Sequence, residues 1–122
     1  MSLRIPVSKE QTMTFTVEIA SRDVPLSPPE EELIRRAFEG LGRYEPRILH
    51  CQAVVDVPHR RPGGEPVAWV IRLSIAVPGK DILVNRQPKP TLRDALDDAR
   101  RAAQRRLRDR ARSLRQAAAG RS

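Results

Sequence analysis

The sequence predicts an α+β domain in the order β-α-β-β-β-α, with two helices packed on one face of a four-stranded sheet. Three observations predict it. Apolar and polar residues alternate along three segments, the period-two signature of half-buried strands, and a fourth, short strand is read over 81–87. Ser27-Pro28-Pro29-Glu30 carries a helix-start signature. From Leu92 onward, apolar residues recur every three or four positions and outline a long amphipathic helix. A chain of 122 residues is one domain by length, and it can bury about two-thirds of its unfolded surface, enough for a single two-layer core.

Each element follows in chain order. Residues 1–11 show no period and are expected to form a flexible N-terminal arm, so the domain is expected over 12–118 with a tail at 119–122. From Thr12, Met13, Phe15, Val17 and Ile19 share one face, while Thr14, Thr16 and Glu18 share the other. Ser27 is suited to cap the first helix, with Glu30 completing a capping box; Leu33, Ile34, Ala37, Phe38 and Leu41 follow at helical spacing, and Gly40 and Gly42 end it. Over Arg47–Val57 the expected core face is Leu49, Cys51, Ala53, Val55 and Val57, and 58–66 reads as a polar loop with Arg60, Arg61, Gly63 and Gly64. A longer strand places Val67, Trp69, Ile71, Leu73, Ile75 and Val77 on the core side. Pro78-Gly79 is a tight turn into a last strand over 81–87, and short connections suggest that the last three strands form an antiparallel meander. Thr91 and Asp94 resemble a capping box for a helix reaching about Ala118, with Leu92, Leu96, Ala99, Ala103, Leu107, Ala111 and Leu114 turned to the core.

The charge balance points to an anionic partner. The net charge is +8, with 23 basic residues against 15 acidic, and such a surplus favours polyanions. Lys9, Lys80 and Lys89 are the only lysines, so the other 20 are arginine, a bias that genome composition explains without explaining the clustering. With Leu96 at 0° and 100° per residue, Arg101, Arg105, Arg108, Arg112 and Arg115 fall between about 100° and 180°, away from the apolar face. They span about 21 Å of helix axis. Residues 91–122 hold ten arginines and four aspartates, so Asp97, Asp98 and Asp109 can pair with Arg101 and Arg105 only in part. Arginine suits phosphate because its planar fork bonds it bidentately. A solvated charged face is the plain alternative. A membrane-surface role is disfavoured because the apolar face of this helix is Ala- and Leu-rich and is needed to cover the sheet.

Enzyme signatures are missing. His50, His59 and the single Cys51 cannot build a cysteine-rich zinc site, even with Asp56 nearby in sequence. Pro62-Gly63-Gly64 lacks the Lys-Ser/Thr of a phosphate loop and precedes no helix. Cys51 reads as a small core residue, and Glu30-Glu31-Glu32 as first-turn residues that complement the helix dipole. The expectation is therefore a non-enzyme without metal or cofactor. One cysteine and no apolar leader or spanning segment suggest a cytoplasmic protein.

Several local motifs, in order, resemble the ribosome hibernation-promoting factor family, which includes ribosome-associated inhibitor A and is also labelled sigma-54 modulation protein. They are Leu41-Gly42-Arg43-Tyr44 after the first helix, Val77-Pro78-Gly79 before the last strand, Ala95-Leu96, and Gln104-Arg105-Arg106-Leu107, with Thr91 where the family often has a capping Asp. The resemblance covers about residues 12 to 115, and the chain's end at Ser122 matches the family's short form. Leu92-Arg93 departs from the family's Met-Tyr, and the proline-rich Arg86–Pro90 segment is unusual for it. The resemblance implies a non-enzymatic translation regulator, active in stress, that occupies the mRNA/tRNA channel of the small ribosomal subunit and contacts 16S rRNA. By position it implies Arg43 and Arg105 as contacts, then Arg108, Arg112 and Lys89; the stripe adds Arg101 and Arg115. Tyr44 is the candidate for base stacking, and a monomer is expected. Two rival expectations are a general double-stranded RNA-binding module and an adaptor for an acidic protein partner.

Overall fold

The computed structural model describes residues 15–22 and 24–120; the expected arm, strand residues 12–14 and the tail residues Arg121 and Ser122 lie outside them. The elements are β1 (Thr16–Arg22), α1 (Pro28–Glu39) continued by a 3₁₀ turn (Gly40–Arg43), β2 (His50–Arg60), β3 (Pro66–Val77), β4 (Lys80–Asn85) and α2 (Leu92–Gly120). This is the expected order and the expected α+β class. Residues 119 and 120, expected in the tail, continue the helix.

The sheet runs β1-β2-β3-β4 and is mixed. β1 pairs parallel to β2, with Val17 opposite Cys51 and Ile19 opposite Ala53, because a crossover helix returns the chain to the same end of the sheet. β2, β3 and β4 form the antiparallel meander. Gly79 takes a φ of +87° in the β3–β4 turn, a conformation that costs a glycine little.

One sheet face is buried: Val17 on β1, Cys51, Ala53 and Val55 on β2, Ile71, Leu73 and Ile75 on β3, and Ile82 and Val84 on β4. Both helices pack on it, α1 toward β1 and α2 toward β3 and β4. The α1 start is the capping box read from sequence: Ser27 Oγ accepts the Glu30 amide at 3.3 Å, and Glu30 Oε1 accepts the Ser27 amide at 2.8 Å. Gly40 ends α1 without a left-handed residue; its φ of −64° lets the chain tighten into the 3₁₀ turn, which buries Leu41.

Five expectations need correction at element ends. Leu49 is 64% exposed, because β2 starts one residue later and the Leu49 amide alone joins the sheet, donating to Ala76 O at 2.8 Å. The 58–66 loop is shorter than expected: β2 continues through Pro58 to Arg60, and the turn is 61–65. Its pairing with β3 is irregular between Asp56 and Arg60, which is where a proline lacking an amide is tolerated. This hairpin reaches past both edge strands, so Val67 is 40% exposed and Trp69 only half-buried. At the other end α2 outruns the sheet: Leu107 is 1% exposed, Ala111 half-buried and Leu114 44% exposed. Finally, β4 ends at Asn85, with a single further bridge from Lys89 to Trp69.

Candidate nucleic-acid interface

The stripe begins with a well-held helix. Thr91 Oγ1 accepts the Asp94 amide at 3.0 Å, the half of the expected box that caps α2. The buried side of α2 is broader than the three-or-four-residue spacing predicts, since Ala95 and Ala102 join Leu92, Leu96, Ala99, Ala103 and Leu107. Alanines at these positions let the helix lie close to the sheet. With that face buried, Arg101, Arg105, Arg108, Arg112 and Arg115 are all exposed, as the projection requires. Gln104 and Asp109 complete a shallow concavity of about 330 Å³ along the first four of them.

The pairing differs from the expected one. Asp97 binds Arg101 and also Arg100, the latter at 3.0 Å. Asp109 pairs with Arg112 at 3.4 Å, not with Arg105. Asp98 turns the other way and holds Arg86 at 2.9 Å, so it clamps the end of β4 to α2. Hydrogen bonds from Arg86 hold the Asp98 carboxyl below its usual range against the opposing effect of burial, and the charges of Arg86, Lys89 and Arg101 add to this. Arg105 and Arg115 have no hydrogen bond or ion pair among the described residues. A guanidinium without a carboxylate partner keeps its full charge for an incoming anion.

The 3₁₀ turn brings in the second helix. Arg43 is exposed and also has no such partner among the described residues, while Tyr44 packs half-buried against the core. The Arg108 guanidinium carbon stands 5.1 Å from the centroid of the Tyr44 ring. This cation–π contact joins the α1 end to the stripe and occupies one ring face, which leaves Tyr44 less free for base stacking than expected. Lys89 sits apart, half-buried in the β4–α2 connection, with its backbone bonded to Trp69 at 2.7 and 2.9 Å. The ridge is thus Arg43 with the five α2 arginines, and Lys89 lies beyond its first turn.

Other arginines, not singled out from sequence, have structural roles. Arg110 Nη1 donates to Glu45 Oε1 at 2.9 Å and Arg110 Nη2 to Pro78 O at 3.0 Å. Arg106 Nη1 donates to Leu83 O at 2.9 Å, satisfying a carbonyl on β4. Glu45 is 6% exposed and also accepts from the Arg47 amide at 2.9 Å and from its side chain. Burial opposes ionisation of Glu45, yet the Arg47 hydrogen bonds and the charges of Arg47 and Arg110 hold its carboxyl below the usual range. In the same projection Arg106 falls at about −80°, at the flank of the apolar face, and Arg110 at about −40°, within it, which is the signal that separates them from the stripe.

The groups first set aside remain outside this surface. Cys51 is buried, and desolvation pushes its thiol up to about 12, which suits an inert core residue. His50 stands 3.6 Å from Glu18 on the uncovered sheet face. Among the described residues no cluster of three metal-binding side chains occurs, and no helix is long and apolar enough to cross a membrane.

The sequence matches no protein-family profile and no curated protein. Solved structures do resemble it. A ribosomal subunit interface protein from Coxiella burnetii is 15% identical, with a TM-score of 0.61 over 75% of this chain and 92% of that one. The N-terminal domain of Thermus thermophilus Protein Y is 14% identical, with a TM-score of 0.59 over 80% and 96%. At such identities the likeness is one of fold alone.

Proposed function

We propose that this protein is a non-enzymatic, ribosome-associated translation regulator. It binds 16S rRNA of the small subunit in the mRNA/tRNA channel through the ridge of Arg43, Arg101, Arg105, Arg108, Arg112 and Arg115. The observation that carries the reading is the ridge itself: an arginine surface with unpartnered members, on a fold shared with a protein named for the ribosomal subunit interface. The contacts are to phosphate and set position more than sequence, since the exposed arginines run along one helix and the scarce aromatics are packed. Occupation of the channel would then block translation sterically, with no chemistry at the site. Lys89 is a peripheral contact at most, and the protein acts as a cytoplasmic monomer.

Co-sedimentation with ribosomes through a sucrose gradient tests this. The protein should travel with the small subunit or the monosome at low salt and leave it at high salt. Its absence from those fractions sinks the proposal. Equal competition by any bulk RNA duplex would point to a general duplex binder, and complexes that survive ribonuclease to an acidic protein partner.

A further inference from the structure

Between α1 and α2 lies a depression of about 210 Å³ whose walls carry Arg36, Arg43, Arg100 and Tyr44, with Ala37 and Leu41 lining it. We infer that it is a phosphate pocket: it receives one phosphate group, from a nucleic-acid chain or from a free phosphate monoester. The inference rests on the anionic partner proposed above, and it adds Arg36 and Arg100, which stand outside the stripe.

Charge supports it first. Glu32 is shared by Arg35 at 3.3 Å and Arg36 at 2.9 Å. Asp97 is likewise shared by Arg100 and Arg101. Each carboxylate therefore neutralises only one of its two guanidiniums, and Arg43 has no partner among the described residues. Three guanidiniums and no carboxylate line the depression, and the two carboxylates that hold Arg36 and Arg100 are each shared with a second arginine. The hydrogen bond from Arg36 is the chief cause that holds the Glu32 carboxyl below its usual range.

Size and shape decide the ligand. Pockets that enclose whole ligands run from roughly 300 to 1,000 Å³. This one is smaller and has room for a phosphate with several waters, at about 30 Å³ each. Its apolar lining, Ala37 and Leu41, offers no hydrogen-bonding edge to a base, while the guanidinium forks match phosphate oxygens bidentately. Tyr44 forms one side, and Arg108 over its ring links the pocket to the ridge. A chain lying on the stripe can therefore place one phosphate in the pocket and fix its register.

The test is a pair of NMR titrations, one with inorganic phosphate at constant ionic strength and one with a short single-stranded oligoribonucleotide. Amides of Gly40–Tyr44 and side-chain Nε–H signals of Arg43 and Arg100 report on the pocket; those of Arg112 and Arg115 report on the distal ridge. Pocket signals should respond at about tenfold lower phosphate than distal ones, and Arg43→Ala, at an exposed position, should abolish that preference. A response to both probes identifies a site for free phosphate, and a response to the oligonucleotide alone identifies a chain phosphate. Pocket signals that move no more than the distal ones with either probe overturn the inference. Ribosome co-sedimentation separates this from the proposed function, because a failed pocket leaves the ridge, and a failed ridge leaves phosphate binding.

Discussion

Removing Arg105 and Arg115 together, as Arg105→Ala and Arg115→Ala, isolates the electrostatic role of the ridge. Both side chains are exposed and unpartnered among the described residues, and alanine is the strongest helix former, so stability should change by no more than about 0.5 kcal/mol. Binding should change far more. If each of the six ridge arginines neutralises one phosphate of a single strand, the slope of log K against log salt is about −4, and about −3 after two are removed. Between about 50 and 200 mM salt the advantage of the wild type should then shrink about sevenfold. Fluorescence anisotropy with a labelled oligoribonucleotide across that salt range measures both slopes, and a thermal melt confirms the fold. Equal slopes for the two proteins, with both folded, refute the claim that the ridge meets phosphate.

Other expectations concern the scaffold. Glu45→Ala leaves the largely buried Arg110 without its carboxylate and should cost about 3 kcal/mol in chemical denaturation; a loss below about 1 kcal/mol would show that the cluster contributes little. The sign with pH follows from the lowered Glu45 pKa: its contribution is complete above the ordinary value of 4.5 and is lost as pH falls through the lower folded value. Urea midpoints should therefore drop below pH 4.5, and this share of the drop should vanish in Glu45→Gln. Leu107→Ala should destabilise by about 2–5 kcal/mol, whereas Leu114→Ala should stay within about 1 kcal/mol, because α2 has left the sheet by then. Equal costs would mean that the end of the helix is packed.

Much of this molecule is legible in local spacing. The Ser27–Glu30 box, the Pro78-Gly79 turn and the alternation over Cys51–Val57 and Ile71–Val77 each involve residues a few positions apart, and each formed as read. The exposed stripe was equally legible, since a helix whose Leu92, Leu96, Ala99, Ala103 and Leu107 face the core must turn Arg101, Arg105, Arg108, Arg112 and Arg115 outward. Where elements outrun one another, periodicity misleads: Leu49, Val67 and Leu114 keep the apolar phase but lie past the edge of what covers them.

The sequence by itself therefore determined the α+β order, the core faces and the stripe, because these follow from backbone geometry over two to four residues. Only the tertiary structure decided what each arginine meets. Arg110 finds Glu45 across 65 positions, Arg106 finds a carbonyl across 23, and Asp98 is drawn from the stripe to Arg86 across 12. It alone set β1 parallel to β2 and brought Arg36 and Arg43 beside Arg100. Those partners depend on how helices settle on a sheet, which no local period encodes. The charge on the last helix was written in the chain, but its division into structural clamps, exposed ridge and inter-helix pocket came from packing.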